Sequence, residues 1–293
     1  MKTNYWLGLA ALLTTAVGAR AQDYPREFGT AFHAGDTAAT GQVLRRWYKA
    51  QPKDPEFYIA RFNYLLKQGD AIEMRPGSGA PGSMVIKDKK SRVVGSLGSG
   101  YLPTMVEQAC AVLRQGLTIA PERLDMWFGL AKTYEETHQP AEQVKALSEA
   151  LATHAAGKQE WRWRNGEALP APEAEFVPRA LEQYASEYWQ QDDPQAWETG
   201  RQLAELIMRY YPQSALGPFN MGAYYGIKGD PKHAYPLLQQ ADKLEPNDPT
   251  NVGNLARMAI KLGYQAEAKA YVARLQKYPE AAKDAEALSR QLK

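Results

Sequence analysis

Small and apolar residues recur at helical spacing along residues 215–248 (ALGPFNMGAYYGIKGDPKHAYPLLQQADKLEPND). This 34-residue stretch reads as two amphipathic helices joined by a turn. With Ala215 as position 1, Gly222 at position 8, Ala234 at 20 and Ala241 at 27 are small where helices cross closely. Tyr225 at 11 and Leu238 at 24 fill the space between the two helices. Gly229-Asp230 makes the turn, Asp230 caps the second helix, and Pro246 at position 32 stops it.

Relatives of this pattern occupy much of the chain. Residues 249–282 keep Leu255, Ala256, Gly263, Ala268, Val272 and Leu275 in register, with the closing proline, Pro279, one residue early. Residues 124–157 keep Trp127, Leu130, Ala131, Tyr134, Leu147 and Ala150. Pro121 closes a helix containing Ala109, Leu113 and Gly116; Pro52 closes another with Leu44 and Trp47; Pro212 closes a third with Gly200, Ala204 and Ile207. Six units follow: roughly 22–54, 55–123 with an insertion, 124–157, 158–214 with an insertion, 215–248 and 249–282. A polar-faced helix over 280–292 would cover the last apolar edge. A period of this length predicts stacked units, each packed on its neighbours, rather than one globular core.

These residues resemble the tetratricopeptide repeat, most closely over 215–248, although the tryptophan often found at position 4 is Pro218 here with Phe219 beside it. The resemblance implies an all-α fold, a right-handed superhelix with a groove lined by the first helix of each unit at positions 2, 5, 9, 12 and 13. Those positions are Asp125, Phe128, Lys132, Glu135 and Glu136 in unit three. They are Leu216, Phe219, Ala223, Gly226 and Ile227 in unit five, and Thr250, Gly253, Arg257, Ile260 and Lys261 in unit six. The lining runs from acidic through apolar to basic, which suits an extended peptide. Asp125, Phe128, Lys132, Phe219, Asn220, Asn254, Arg257 and Lys261 are the expected groove contacts. Some cytosolic members grip a C-terminal carboxylate with Lys at position 2 and Asn at position 6. Asn220 and Asn254 hold position 6, but Leu216 and Thr250 stand at position 2, so that mode is not expected.

Two insertions interrupt the repeats, at about 71–104 and 158–175. In the first, residues 75–83 (RPGSGAPGS) read as a flexible loop and 95–100 (GSLGSG) as a flexible hinge. Met84-Val85-Ile86 and Arg92-Val93-Val94 flank a polar turn and predict a hairpin, to which 71–74 could add a third short strand. Lys87, Lys89, Lys90 and Arg92 make a basic tip, read either as a contact surface or as a solvated turn that discourages edge pairing. In the second insertion, Glu160-Trp161-Arg162-Trp163-Arg164 alternates before an Asn165-Gly166 turn signal, which places Trp161 and Trp163 on one side. The pair suits stacking on a sugar ring or holding a peptide side chain; packing onto the helices of units three and four is the favoured alternative.

The N-terminus changes the compartment. Lys2 supplies a positive charge, residues 5–17 are mostly apolar but short for a bilayer, and Ala19-Arg20-Ala21 fits a signal-peptidase site before Gln22. A signal peptide over 1–21 and a soluble periplasmic or secreted product, without stable membrane insertion after cleavage, are expected. Cys110 is the only cysteine, so no internal disulfide can form, and its apolar setting predicts a buried small side chain. The 35 basic and 33 acidic residues nearly balance, at net +2, which gives no reason to expect nucleic acid.

No catalytic signature stands out. His33, His138, His154 and His233 lack metal-ligand spacing and read as exposed turn histidines. The Gly-rich run 78–83 lacks the Gly-Lys-Ser/Thr of a phosphate loop. Asp192-Asp193-Pro194 reads as a helix break and cap, and Glu135-Glu136 as a solvated face without an acid–base partner. The whole arrangement resembles a set of uncharacterised exported repeat proteins of Gram-negative bacteria, a resemblance that implies architecture and export but no activity. The expected role is therefore a non-catalytic, cofactor-free scaffold that binds a protein or peptide, with a glycan-binding accessory protein using Trp161 and Trp163 as the alternative.

Overall fold

The computed structural model describes residues 22–75, 77, 84–157 and 159–292. The expected signal peptide with its cleavage site and the Gly-rich run 78–83 lie outside the described residues. The chain divides into two compact units, Met1–Pro52 and Lys53–Lys293.

In the first unit, helices α1 (Tyr24–His33) and α2 (Thr37–Ala50) pack as a hairpin. The side chains of Asp23 and Asp36 accept from the backbone N–H of Arg26 and Ala39, satisfying orphan donors at each helix start. Tyr24 stacks on the buried Trp47 at 5.9 Å, and Arg46 pairs with Glu27 at 2.8 Å across the two helices.

The second unit is a succession of helix pairs: α3 (Pro55–Gln68) with α4 (Pro103–Ile119), α5 (Leu124–Glu136) with α6 (Pro140–Gly157), and α7 (Glu173–Trp189) with α8 (Pro194–Tyr210). Then follow α9 (Leu216–Ile227) with α10 (Pro231–Leu244), and α11 (Pro249–Leu262) with α12 (Gln265–Leu275). A last helix, α13 (Ala282–Arg290), turns Ala285 and Leu288 onto the final pair. Helices α3, α8, α10 and α11 share one start signal, an Asp-Pro dipeptide. The Asp accepts from the first turn, and the Pro sits where its missing N–H costs nothing. Each such cap contributes about 1 kcal/mol.

The packing explains the repeat residues. A Cβ added to Gly222 in α9 would lie 2.7 Å from Leu238 of α10, so position 8 must be glycine for position 24 to be leucine. Leu113, Leu130, Leu147, Leu181, Leu203 and Ile207 form one continuous buried core from α4 to α8, and Leu238, Leu255 and Ala268 carry it on between α10 and α12. These pairs, with their small crossing residues and closing prolines, are stacked helix-turn-helix repeats; the fold is all-α with one small sheet. Among the described residues no helix is long and apolar enough to cross a membrane.

The first insertion is larger than a hairpin. Strands β1 (Asp70–Arg75), β2 (Met84–Lys87) and β3 (Val93–Tyr101) form an antiparallel sheet in the order β1-β3-β2. The expected hinge over 95–100 is instead the middle of the central strand. Glycine here serves close approach: a Cβ on Gly100 would lie 2.9 Å from the Glu73 Cβ. The sheet grows directly from the α3–α4 connection, where the Leu102 N–H donates to the Gly69 carbonyl at 2.8 Å.

The second insertion does not form a strand pair. Asn165 and Gly166 take φ of 56° and 74°, as their turn signal predicts, but the chain beyond does not return alongside. Instead Arg162 bridges to the entry of α5: its N–H donates to the Glu122 carbonyl at 2.8 Å, and its carbonyl accepts from Leu124 N–H at 2.9 Å.

Candidate functional site

Helices α5 and α7 are the first helices of adjacent units, and they bound a cleft of about 460 Å³. On α5, Phe128, Lys132 and Glu135 lie one helical turn apart on one stripe; on α7, Phe176, Ala180, Tyr184 and Glu187 do the same. The Arg162 bridge brings the next residue, Trp163, against the Phe128 and Phe176 rings that line this cleft. Phe128 meets Trp163 edge-on at 6.0 Å and Tyr184 edge-on at 6.2 Å, and it stacks near Phe176 at 6.4 Å. Trp163 meets Phe176 edge-on at 5.1 Å. Such edge-to-face pairs add to burial and hold the rings in place.

The cleft has a polar end. The Lys132 ammonium donates to Glu135 at 3.2 Å, and the Glu135 carboxyl hydrogen-bonds to Glu187 of α7. Burial and the Glu187 carboxyl, against the opposing pull of Lys132, lift Glu135 from its ordinary 4.5 to about 7. A neighbouring carboxyl disfavours the ionised form of Glu135. Burial, then the Glu135 and Glu187 charges, push Tyr188 up to about 12 and raise Tyr184 as well. Tyr188 donates to the buried Gln143 side chain at 2.6 Å. The expectation that Glu135-Glu136 is a solvated face without a partner is therefore corrected for Glu135. Its partner comes from the neighbouring helix, and only Glu136 is exposed.

A second cleft, of about 430 Å³, lies on the other side of α5, between it and α3. Ile59, Phe62, Met126 and Gly129 line it, with Arg164 and Asn165 of the insertion at its edge. The Arg164 guanidinium lies 5.8 Å from the centre of the Trp163 ring, so the insertion borders both clefts.

The sequence-expected contacts separate into three sets. Phe128, Lys132 and Trp163 gather at the α5–α7 cleft. Asn220 and Trp161 are corrections, and Asp125 lies at the second cleft with its carboxylate already engaged. Both oxygens of Asp125 are taken by Arg123, whose side chain is only 4% exposed and which also pairs with Glu56 at 2.6 Å. Burial would lower the Arg123 pKa, but the bonds from Asp125 and Glu56 outweigh it, so the guanidinium stays charged. Asn220 is buried in α9. Trp161 is 3% exposed and stacks on His154 at 4.2 Å, so neither ring is open to a sugar. His154, expected in an exposed turn, is instead half-buried and bonded to Glu173 at 2.9 Å.

The third set lies elsewhere. Phe219 packs against the α10–α11 core, and Asn254 accepts from Arg257 at 3.1 Å. Arg257 also pairs with Asp284 of α13, so the last helix occupies that part of the expected groove. Lys261 is exposed at the end of α11, and Lys87, Lys89 and Arg92 are exposed around the β2–β3 turn. Phe176, Arg179, Tyr184 and Glu187 were missed because α7 begins inside the second insertion and carries Pro178 in its interior. The stripe Val177, Leu181, Ala185 and Tyr188, buried at helical spacing, was the available signal.

No protein-family model and no curated protein sequence matches the chain. Solved structures match the chain at low identity. The chain is similar to the TPR2AB-domain:pHSP90 complex of yeast Sti1, at 12% identity over 92% of this chain and 96% of that one, with a TM-score of 0.36. It is similar to PilF of Pseudomonas aeruginosa at 21% identity over 64% and 83% of the two chains, with a TM-score of 0.36. For a tetratricopeptide repeat protein of Parabacteroides merdae the values are 12%, 92%, 84% and 0.35.

Proposed function

We propose that this chain is an exported, non-catalytic scaffold that binds an extended protein or peptide segment across α5. The observation that carries this reading is the aromatic cleft of Phe128, Phe176 and Tyr184, backed by Trp163, between two adjacent first helices. Its aromatic lining suits an apolar anchor side chain. The charges at its rim are largely matched internally, Lys132 by Glu135 and Arg179 by Glu175, so they frame the anchor without setting one sign.

The second cleft gives the reading a spacing. Two clefts on opposite sides of one helix are separated by about one interhelical distance, roughly 10 Å. An extended chain covers that in about three residues. The favoured ligand carries two apolar side chains at i and i+3, one entering each cleft.

Display selection with an unbiased peptide library tests this. Enriched peptides should share that spacing, and Phe128→Ala and Phe176→Ala should each weaken them about tenfold, as expected for a central aromatic contact. Failure to enrich any peptide, or unchanged affinity in both variants with helical content intact, would exclude the cleft as the site. Export is supported by the Lys2, apolar 5–17 and Ala19-Arg20-Ala21 pattern. N-terminal sequencing of the protein from a periplasmic fraction should begin at Gln22.

A further inference from the structure

The inserted sheet presents a second surface, of a different kind from the cleft. Its register places Met74, Leu97 and Met84 in one row across β1, β3 and β2, with Ile72 and Ile86 on the same face in the flanking rows. Three of these side chains face water, Ile72 at 80% exposed, Met74 at 70% and Met84 at 69%, while Leu97 and Ile86 are half-buried. The alternate positions of β1, Ala71 and Glu73, point to the other face, where Ser96 and Gly100 are buried. Large apolar side chains are thus exposed on one face at Ile72, Met74 and Met84, while the smaller Val85 and Val94 are exposed on the other, beside the buried Ser96.

One end of this sheet is strongly basic. The turn from β2 to β3 carries Lys87, Lys89, Lys90 and Arg92, all exposed, against the single carboxylate of Asp88. Asp88 organises the turn rather than neutralising it. It accepts from the backbone N–H of Lys90 and Arg92 and from the Arg92 side chain, at 2.8, 3.0 and 2.7 Å. The Arg92 bonds hold the Asp88 carboxyl below its ordinary range. The three lysines project from a turn fixed by its neighbours.

From this juxtaposition we propose that the inserted sheet docks on an anionic phospholipid surface, with Ile72, Met74 and Met84 entering the acyl boundary and Lys87, Lys89 and Lys90 meeting the headgroup phosphates. Size favours a bilayer over a protein. Three strands about 4.8 Å apart, with about 20 Å of paired length, offer roughly 300 Å². A stable protein interface takes about 800 Å² from each partner. A lipid surface sets no such minimum, because each inserted side chain and each cation adds its own increment. The sheet's unbranched methionines adapt to a fluid partner. Charge complementarity fixes the sign, with an excess of three positive charges at the turn requiring an anionic surface.

Co-sedimentation of the full chain with phosphatidylcholine vesicles, with and without phosphatidylglycerol, tests the proposal. Residues 1–21 are common to every variant, so differences between variants report the sheet. The wild type should partition to phosphatidylglycerol vesicles and be released by salt. Lys87→Gln, Lys89→Gln and Lys90→Gln together should lower that partition about a hundredfold at low salt, about fivefold for each cation. Ile72→Ser, Met74→Ser and Met84→Ser together should lower it while leaving the thermal melt in place. Equal partition to both vesicle types, or full partition by both triple variants, would overturn the proposal. So would a solution dimer dissociated by the serine substitutions, which would make the face an interface between copies of this chain.

Discussion

The two insertions interrupt the same kind of repeat and meet opposite fates. The segment between α6 and α7 folds inward: Trp161 is buried on His154, and Trp163 packs against Phe128 and Phe176, which line the α5–α7 cleft. The segment between α3 and α4 turns its apolar side chains outward. The backbone explains the difference. Residues 159–172 have no ladder of their own, so Arg162 borrows its hydrogen bonds from Glu122 and Leu124, and that contact pulls the neighbouring tryptophans onto the helices. The sheet satisfies its strands internally through β3 and joins the repeats at its base, through Gly69 and Leu102 and through Tyr101, whose hydroxyl donates to Glu136 of α5. A segment that closes its own hydrogen bonds is free to leave the surface; one that cannot must lie on its host.

The sharpest way to break this comparison is to empty the inward insertion. Trp161→Ala removes a fully packed indole and its stacking on His154, and should cost about 3–5 kcal/mol, the range for a large aromatic replaced in a core. Thermal or urea unfolding would show it directly. A loss below about 1 kcal/mol, a typical surface-to-average effect, would mean that the insertion is held by its backbone bridge alone. Trp163→Ala, at a half-buried site, should cost less than Trp161→Ala and weaken peptide binding instead.

The same physics decided what could be read from the chain. Helix pairs were legible where proline, Asp-Pro caps and small crossing residues coincide, as in α9–α10, because those signals are local. The sheet was legible only in part. β2 and the start of β3 have β-branched residues, whereas the rest of β3 is glycine and serine whose role depends on Glu73 and Ala71 across the ladder. The cleft was half legible. Phe128 and Lys132 follow from repeat position, but Phe176, Tyr184 and Glu187 belong to a helix that Pro172 and Pro178 disguise as loop. The Glu135–Glu187 contact joins two helices from different units, so no local pattern could announce it.

That contact offers an effect of intermediate size. With its folded pKa raised to about 7, Glu135 keeps its proton in the folded chain at pH values where the unfolded chain has released it. Stability should therefore fall as pH rises from 4.5 toward 7, and level off above that. The groups facing it are Lys132 and Glu136 on its own helix and Tyr184, Glu187 and Tyr188 on α7. Glu135→Gln keeps a hydrogen-bonding side chain but cannot ionise. Its melting temperature relative to wild type should rise across this window. Parallel pH profiles for the two proteins would show that Glu187 or solvent absorbs the charge and that the polar end of the cleft is not a closed pair.

The smallest expected effect is the most discriminating for the outward insertion. The triple change Ile72→Ser, Met74→Ser and Met84→Ser removes apolar side chains that already face water, so each should fall within about 0.5 kcal/mol of neutral. Some loss of strand propensity at Ile72 is included in that range. For a chain of this size, 1 kcal/mol moves the midpoint by only about 2–4 °C, so the three together should shift it by a few degrees at most. Scanning calorimetry on the chain without vesicles measures this. A loss approaching that of Trp161→Ala would mean that the sheet face is covered by protein in solution, and the contrast between an insertion folded in and one folded out would disappear. An unchanged midpoint, with vesicle binding lost, would separate the two insertions by role: one builds the groove, and the other stands clear of it to meet a surface.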